Sequence, residues 1–273
     1  MDLLVAGCGY VGFAVARRWR DKGSRAYGLR RSPSALDALR AAGIEPLQAD
    51  LLSPASLRKL PPCGAALLAQ APAGRGDDYR RTYVDGTRNF VAEAKRMGVK
   101  KLVLLSSTSV YGVDDGSWVD ESTAAGRGGA GPEALVASEQ AALAGFPGTM
   151  VLRLAGIYGP QRSAADRVRK GVVREFNPGE YTNRIHLEDI IAAVELLFDK
   201  GRPGEIYIGC DDVPATQKEF YAWLYGRMKL PVPPALLDAP AAPSGKRCSN
   251  RKIRALGLKL RFPDYKEGYR DLA

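Results

Sequence analysis

The chain has 273 residues, of which 45% are hydrophobic and 26% charged, which is enough apolar material for one large domain or two small ones. Its apolar runs fall short of the roughly 18 residues that a membrane-spanning helix needs, so we expect no membrane contact. The net charge of +10 is concentrated in residues 161–174 and 244–273. No helix-turn-helix or RNA-binding motif accompanies that charge, which argues against a nucleic-acid partner. A small anionic substrate or a solvated basic face explains it better.

The four cysteines are scattered and form no C-x-x-C pair, so we expect free thiols in a reducing compartment and no metal site. They are Cys8, Cys63, Cys210 and Cys248. The chain runs from Asp2 directly into an apolar strand, with no basic n-region and no cleavable apolar segment. We therefore expect a cytoplasmic protein.

The first element is an apolar strand that runs into Gly7-x-Gly9-x-x-Gly12, and a helix over 10–22 follows at once. Gly7 can make the tight turn, Gly9 lets a pyrophosphate approach the backbone, and Gly12 lets the helix pack closely on the strand. The helix N-terminus offers N–H groups and a partial positive charge to phosphate. The predicted contacts are Gly7, Gly9, Tyr10, Val11 and Gly12. The alternative is a glycine-rich turn with no ligand.

Apolar periodicity then predicts an alternation of strands and helices. The predicted strands are 25–29, 44–49, 65–70 and 101–106, and the predicted helices are 33–42, 54–60 and 79–97. This alternation implies a parallel sheet covered on both faces, with its ligand at the carboxyl ends of the strands.

In the second half of the chain, the pattern predicts a loop over 112–132, a basic irregular stretch up to His186 and a tail with little regular structure from Pro231. Thr216-x-x-Glu219 resembles a capping box that opens a helix through Tyr225. The remaining predicted elements are a helix over 132–144, a strand over 149–154, a helix over 187–200 and a strand over 205–209.

The end of the second strand indicates which dinucleotide binds. An acid there would hold the ribose hydroxyls of NAD, but the sequence has Arg30, Arg31 and Ser32. Guanidinium groups can make charge-assisted hydrogen bonds to the 2′-phosphate of NADP. We therefore expect NADP, with NAD the less favoured cofactor. Surface charges without a ligand are the alternative.

Several motifs together resemble the extended short-chain dehydrogenase/reductase family, the NAD-dependent epimerase/dehydratases. They are the glycine turn, Asp50-Leu51, Tyr83-Val84-Asp85-Gly86-Thr87, Ser106-Ser107-Thr108-Ser109-Val110-Tyr111-Gly112, Arg153-Leu154-Ala155-Gly156-Ile157-Tyr158-Gly159-Pro160 and Arg184-Ile185-His186-Leu187-Glu188-Asp189. The resemblance covers nearly the whole chain. It implies an α/β fold, a Rossmann doubly wound parallel sheet over 1–156 with a smaller C-terminal substrate lobe over 157–273, of which 187–209 returns to the core.

The resemblance also implies roles for single residues. Asp50 would accept a hydrogen bond from the adenine amino group, and Leu51 would pack beside the ring. Leu154 and Ala155 would lie near the nicotinamide. The other implied cofactor contacts are Gln70, Ala71, Pro72 and Ser106. Ser107 matches the residue that hydrogen-bonds a reacting hydroxyl or carbonyl, whereas His186 and Asp189 resemble a supporting motif.

The family's usual Tyr-x-x-x-Lys pair is missing. In the family a glutamate commonly follows the lysine by four residues, and Glu139 fits it. Counting back puts Leu135 at the lysine position and Gly131 at the tyrosine position, and no tyrosine lies between Tyr111 and Tyr158. The chain therefore resembles the atypical short-chain dehydrogenases.

Two hypotheses follow from this departure. The first is an NADP-dependent oxidoreductase with a different proton donor, acting on a small anionic or sugar-nucleotide-like molecule. Its candidate catalytic residues are Ser107, Tyr111 and Tyr158, although packing is the alternative role for both tyrosines. The second is a non-catalytic NADP-binding sensor or regulatory protein. Because the helices over 79–97 and after Pro132 form a dimer interface in many relatives, a homodimer is also open.

Overall fold

A seven-stranded sheet is the centre of the computed structural model, which describes residues 1–71, 77–126, 128–173, 176–237 and 242–272. Its strands are β1 (Leu3–Ala6), β2 (Ala26–Arg30), β3 (Glu45–Gln48), β4 (Ala65–Leu68), β5 (Lys101–Ser107), β6 (Thr149–Leu154) and β7 (Ile206–Gly209). Their order is β7-β6-β5-β4-β1-β2-β3. The pairings of β1 with β2 and β4, of β2 with β3 and of β4 with β5 are parallel. The strand order reverses beside β1, which is where such sheets bind ligands.

The helices alternate with the strands through the first 154 residues. The helices of the described chain are α1 (Tyr10–Asp21), α2 (Leu36–Ala41), α3 (Pro54–Leu57), α4 (Asp77–Arg80), α5 (Gly86–Ala94), α6 (Ala130–Gly145), α7 (Ala164–Arg169), α8 (Leu187–Lys200), α9 (Gln217–Arg227), α10 (Pro234–Leu237), α11 (Arg251–Leu256) and α12 (Tyr265–Gly268). The predicted doubly wound α/β fold is confirmed.

The chain divides into two compact units. The first consists of Met1–Gly112, Ala124–Arg153 and Ala193–Tyr207, and the second of Val113–Thr123, Leu154–Ala192 and Ile208–Ala273. In the first unit every residue of β1 and β4 is fully buried. Continuous apolar runs of this kind are what a parallel sheet needs when helices cover both of its faces.

The predicted helix over 79–97 is correct only in part. After α4 the chain forms a π-helical turn over Arg81–Asp85, and α5 ends at Ala94. The Gln70 side-chain amide donates to the Tyr83 carbonyl at 3.2 Å. A π-turn frees carbonyls from the regular helical ladder, and this tertiary hydrogen bond uses one of them.

The prediction of an irregular chain up to His186 is wrong, and the loop predicted over 112–132 contains a two-residue strand and the first residues of α6. The second unit contains short strands at Trp118–Val119, Gly156–Tyr158, Glu180–Thr182, Arg184–His186, Ala215–Thr216, Ser244–Gly245 and Arg247–Cys248. They pair across long stretches of sequence, for example 118–119 with 247–248 and 180–182 with both 215–216 and 244–245. Strands of two or three residues are too short for a recognisable alternation.

Two predictions about the second half of the chain are confirmed. Helix α8 has the predicted bounds, Leu187–Lys200. Thr216 and Glu219 form the predicted capping box, in which the Thr216 hydroxyl accepts from the Glu219 N–H and the Glu219 carboxylate accepts from the Thr216 N–H. Helix α9 follows directly.

Other structural properties bear on the exclusions made from sequence. Cys8, Cys63, Cys210 and Cys248 are all free and buried. None of the helices within the described ranges has the length and apolar character needed to cross a membrane. Those ranges also hold no group of three or more histidine, cysteine, aspartate or glutamate side chains arranged for a metal ion.

Candidate cofactor and catalytic site

The glycine turn between β1 and α1 has the geometry that the sequence predicts. Gly7 has a φ of 87°, and a Cβ there would lie 2.4 Å from the Ala69 carbonyl oxygen. A Cβ at Gly12 would lie 2.6 Å from the Gly7 carbonyl oxygen and 2.8 Å from a Val5 methyl group. Larger residues would therefore push α1 away from β1 and the turn away from β4.

The N-terminus of α1 suits a negatively charged ligand. Gly9 is the N-cap residue and makes no side-chain capping bond, and the first turn contains no acidic residue. Tyr10 is half-buried and Val11 is buried. Backbone N–H groups and the helix dipole therefore supply the positive potential at this end of the helix.

Arg30, the last residue of β2, lies across the glycine turn. Its Nη1 donates to the Cys8 carbonyl at 2.9 Å and lies 3.3 Å from the position that a Gly9 Cβ would occupy. Arg31 and Ser32 follow as exposed residues. The turn and the end of β2 together therefore carry a positive charge at the edge of the sheet where the strand order reverses.

Cys8 fills space inside this turn. A Cβ at Gly28 would lie 3.0 Å from the Cys8 sulfur, so the thiol occupies the volume above a glycine of β2. Burial raises the pKa of the Cys8 thiol to about 12, against the opposing effect of Arg30. The sulfur is therefore an uncharged packing group.

Asp50 and Leu51 follow β3. The Asp50 carboxylate accepts from the Leu52 N–H at 2.9 Å, and Ser56 ties the Asp50 backbone to the start of α3. Leu51 packs against the core of the first unit, where its Cβ lies 3.2 Å from the position of a Gly86 Cβ. These contacts fix the loop, and the adenine-binding role of both residues stays a prediction.

The Gln70 side chain points into the interior. Its amide donates to the Thr87 hydroxyl at 2.7 Å, and that hydroxyl lies 2.8 Å from the Ser138 hydroxyl. Among the residues that the structure describes, its Oε1 has no hydrogen-bond partner. The side chain of Gln70 is therefore engaged inside the protein, which leaves its backbone for a cofactor contact. Ala71 is exposed, and Pro72 lies outside the described residues.

A buried polar network links β5, α6 and β6. The Glu139 carboxylate accepts from the Ser106 hydroxyl at 2.5 Å and from Arg153 at 3.0 Å and 2.7 Å, and Arg153 also donates to the Tyr111 hydroxyl at 2.8 Å. Burial opposes the charge of Arg153, but its bonds with Glu139 outweigh it and raise the pKa of the guanidinium. The sequence singled out Ser106, Tyr111 and Glu139 for other reasons, and it included Arg153 in a family motif without giving it a role.

Ser107 ends β5 and is half-buried. Its hydroxyl accepts from the Ser109 N–H at 3.1 Å and caps the short 3₁₀ turn Thr108–Val110. An accepted bond leaves the O–H of Ser107 able to donate. Of the two adjacent serines, Ser106 is committed to Glu139 and Ser107 is the one that can serve a ligand.

The positions at which the resemblance places the family's tyrosine and lysine lie on α6. Leu135 is buried, and Gly131 is half-buried. The Tyr79 ring, from α4, lies 4.0 Å from the position of a Gly131 Cβ. A phenol from another helix is therefore adjacent to the position where the family's tyrosine would begin.

Tyr79 is paired with Tyr83 one turn later. Their ring centroids are 4.7 Å apart, and their hydroxyls share a hydrogen bond. Burial raises the pKa of both phenols, that of Tyr83 to about 12. Sequence reasoning missed Tyr79 because only the contact with Gly131 gives it significance.

The remaining predicted residues belong to the second unit. Tyr158 stacks on Tyr269 at 4.6 Å and packs edge-on against His186 at 5.1 Å, and burial raises the pKa of its phenol above the ordinary value. These contacts favour a packing role for Tyr158. Leu154 and Ala155 are buried, and their role at the nicotinamide stays a prediction.

His186 and Asp189 hold the backbone of the second unit. The Asp189 carboxylate accepts from the N–H groups of Arg261 and Phe262 at 2.6 Å and 3.1 Å. His186 Nδ1 accepts from the Glu188 N–H at 3.1 Å. Burial and the nearby Arg261 charge lower the pKa of His186 to about 4, so its ring is neutral at pH 7. Both residues have the supporting geometry that the resemblance implies.

The sheet order and the glycine turn define the chain as a Rossmann-type α/β protein. Residues 3–208 match the model of the NAD dependent epimerase/dehydratase family, and the chain belongs to that family. The resemblance drawn from the motifs is thereby confirmed.

Three relatives cover nearly the whole chain. A solved structure of a candidate NAD-dependent epimerase/dehydratase from Methylobacillus flagellatus is 30% identical with a TM-score of 0.84, and the match covers 99% of this chain and 97% of that one. Protein YeeZ of Escherichia coli strain K12 is 28% identical over 95% of this chain and 96% of its own length. A 4-hydroxy-2-methyl-3-oxo-4-farnesyl-3,4-dihydroquinoline-1-oxide ketoreductase of Stigmatella aurantiaca is 26% identical, with 95% of this chain and 83% of the relative covered.

Proposed function

We propose that this chain binds NADP and uses it to reduce the carbonyl group of a small, anionic or sugar-nucleotide-like molecule. The observation that carries the proposal is the Arg30 guanidinium held over the glycine turn, 2.9 Å from the Cys8 carbonyl oxygen. The turn suits a diphosphate, because Gly9 at the N-cap carries no side chain and the first turn of α1 offers N–H groups without an acidic residue. Gly7, Gly9, Tyr10, Val11 and Gly12 would hold the diphosphate.

The choice of NADP over NAD depends on the end of β2. Arg30, Arg31 and Ser32 offer two positive charges and a hydroxyl, and the first acid after them, Asp37, is paired with Arg40. A 2′-phosphate would meet guanidinium groups there and no carboxylate. NAD would leave that charge unused, so we propose it as the weaker ligand.

The other cofactor contacts follow the family pattern. Asp50 and Leu51 would receive the adenine, and Leu154 and Ala155 the nicotinamide. The further contacts proposed are the backbone at Gln70 and at Ser106, whose hydroxyl is bonded to Glu139, together with Ala71 and Pro72. When bound, the cofactor supplies or accepts a hydride, while the residues of the chain orient the substrate and move the proton.

Ser107 is the residue that we propose for orienting the reacting oxygen. It is half-buried and can donate its O–H. Tyr111 is almost fully buried and accepts from Arg153, so we assign it to support of the strand end. Tyr158, packed against Tyr269 and His186, has the weaker case as a catalytic residue.

Tyr79 is the proton donor that we propose in place of the missing family tyrosine. Leu135 at the lysine position cannot lower the pKa of a phenol, and burial raises that of Tyr79. A phenol that keeps its proton at neutral pH can donate to a developing alkoxide but cannot act as a base. This favours carbonyl reduction over the base-initiated chemistry of an epimerase or dehydratase. One of the relatives is named a ketoreductase, and that name also describes carbonyl reduction.

A second candidate function rests on the same missing pair. With Gly131 and Leu135 at these positions, the chain is alternatively a non-catalytic NADP-binding sensor or regulatory protein. The experiment that separates the two is NADPH oxidation, followed by absorbance, against a panel of ketones, oxo acids and nucleotide-linked sugars. Turnover that Ser107→Ala reduces supports the enzyme. No turnover across the panel, with NADPH binding intact, supports the sensor.

Two properties of the proposed protein follow from the same considerations. We propose the cytoplasm as its location, because four buried free thiols suit a reducing compartment. We also propose a homodimer as the assembly to test, because α5 and α6 correspond to the helices that pair in many relatives. Sedimentation of the purified chain with and without NADP measures the assembly directly.

A further inference from the structure

A cavity of about 460 Å³ lies within the second unit. Its wall is mostly polar and includes Arg167 from α7, Thr182 and Arg184 from two short strands, and Gln217 and Tyr221 from α9. No residue identified above as a cofactor contact lines it. Two of its wall residues are arginines: Arg167 lies in the basic stretch 161–174, and Arg184 opens the motif Arg184–Asp189, in which it has no predicted role of its own.

Arg184 is a buried positive charge. The residue is 8% exposed, and its guanidinium lies 3.6 Å from the centroid of the Phe220 ring and 5.6 Å from that of Tyr265. It donates to the Thr182 hydroxyl at 2.8 Å and to the Thr182 carbonyl at 3.4 Å. Two such bonds leave further N–H donors of the five that a guanidinium carries.

Arg184 forms no ion pair within 4.0 Å in the part of the chain that the structure describes. Asp211 is the acid that acts on it at longer range, and a hydrogen bond from the Val213 N–H favours the charged form of that carboxyl. Burial raises the pKa of Asp211 well above its usual range and lowers the pKa of Arg184, so the interior disfavours both charges. A buried charge without a partner is costly unless a ligand supplies the opposite charge.

Arg167 adds a second positive charge at the cavity wall. Arg167 is exposed at the cavity wall, whereas the neighbouring Arg169 on the same helix is paired with Asp166 at 3.0 Å. Gln217 is already engaged, since its amide nitrogen donates to Glu180 and its oxygen accepts from the Asn177 N–H. The groups that remain to meet a ligand are two guanidiniums and the Tyr221 ring edge with its hydroxyl.

We infer that this cavity binds a compact oxyanion, a phosphate or carboxylate group, between Arg184 and Arg167. The anion supplies the charge that Arg184 lacks, and it accepts hydrogen bonds from two planar donor groups whose geometry matches an oxyanion. The anion is either a free ion or the acidic end of the substrate, and in the latter case the inference rests on the proposed function.

Calorimetric titration with inorganic phosphate tests the site, using the full chain saturated with NADP so that phosphate does not occupy the glycine turn. We expect saturable binding to the unaltered protein, weakened about tenfold or more by Arg167→Met and by Arg184→Met, because each change removes charge-assisted hydrogen bonds. Arg169→Met is the matched control, and its affinity should stay within about twofold of the parent, since exposed ion pairs contribute little.

A thermal measurement covers the case in which Arg184→Met folds poorly. Phosphate should raise the melting temperature of the unaltered protein and of Arg184→Lys, which keeps the charge, but not that of Arg167→Met. Absence of saturable phosphate binding, or equal binding by the parent and by both cavity variants, overturns the inference.

Two further measurements distinguish a free anion from the acidic end of the substrate, and a failure of this inference from a failure of the proposed function. If an oxo acid is a substrate, its methyl ester should show a raised KM in the parent, and Arg167→Met should raise the KM of the acid alone. If acid and ester behave alike, the anion is a free ion. Binding of NADPH without phosphate refutes the cavity inference only, whereas binding of phosphate without either dinucleotide refutes the proposed function only.

Discussion

Removing the charge of Glu139 should strongly destabilise the first unit. The Glu139 side chain is 3% exposed and accepts three hydrogen bonds, at 2.5 Å from Ser106 and at 3.0 Å and 2.7 Å from Arg153. Glu139→Gln keeps the shape but replaces one accepting oxygen by an N–H₂ group, which faces the Arg153 donors. The guanidinium then keeps its charge, buried, without a counter-ion.

The size of the effect follows from that geometry. Breaking one partner of a buried, hydrogen-bonded ion pair costs about 3–5 kcal/mol, because the remaining charge is left unpaired. For a chain of this length, about 3 kcal/mol corresponds to a fall in melting temperature of about 5 °C. The double variant Glu139→Leu, Arg153→Met removes both charges, so it should cost at least about 2 kcal/mol less than the sum of the two single changes.

Urea unfolding followed by circular dichroism measures these differences. The matched control is Asp166→Asn, which breaks an exposed pair with Arg169 at 3.0 Å and should change the free energy of unfolding by about 1 kcal/mol or less. A Glu139→Gln variant within about 1 kcal/mol of the parent, or additive single and double changes, would refute the reasoning that this network holds α6 onto β5 and β6.

Substitutions at four other residues test separate parts of the account. Arg30→Met should weaken NADPH binding by at least about tenfold more than NADH binding, because the charge-assisted contact to the 2′-phosphate is lost for NADPH alone, whereas the lost hydrogen bond to the Cys8 carbonyl affects both dinucleotides; an equal loss for both dinucleotides would contradict that role. Tyr79→Phe and Ser107→Ala should each lower kcat for carbonyl reduction by about a hundredfold with KM for NADPH unchanged. Tyr83→Phe, which keeps the tilted ring contact with Tyr79, is the control that should lose much less. The folded pKa of His186, about 4, lies below the unfolded value of 6.5, so the unfolded state binds more protons between these values and stability falls as the pH drops through that window. Urea unfolding at several pH values should therefore show that the free energy of unfolding of His186→Gln rises relative to that of the parent by roughly 3 kcal/mol as the pH falls from 7 to 4. A difference that stays constant with pH would show that burial does not keep the ring neutral. Asp189, whose pKa burial raises to about 6, acts in the opposite direction but is present in both proteins and cancels in the comparison.

Local sequence patterns were sufficient for the glycine turn and the sheet. The elements of the first 70 residues are signalled by residues close in sequence. The signals are apolar runs, glycines with a positive φ, and a proline at the start of a helix, as at Pro54. The same holds for α8 and for the Thr216 capping box. Such elements are predictable because the residues that stabilise them lie within one or two turns of each other.

The remaining structure depends on contacts between distant residues. The strand pair 118–119 with 247–248 joins segments more than a hundred residues apart. The π-turn over Arg81–Asp85 uses a hydrogen bond from Gln70. No local periodicity encodes either feature, because each is stabilised only after the chain has folded.

The candidate site divides in the same way. The residues proposed to bind the cofactor can be predicted from motif spacing, whereas the buried network around Glu139 cannot. Arg153 inside an otherwise apolar strand was nevertheless a usable signal, because a buried arginine requires a partner. The significance of Tyr79 could not be predicted, since only the folded chain brings α4 beside Gly131.

The central claim is that the glycine turn and Arg30 together hold NADP. The direct measurement is titration of the purified chain with NADPH and with NADH, followed by the fluorescence of the reduced nicotinamide. We predict saturable binding of both, with NADPH the tighter by about tenfold or more, the equivalent of one charge-assisted contact. Binding of NADH as tight as NADPH would contradict the role of Arg30, and no binding of either at millimolar concentration would contradict the account as a whole.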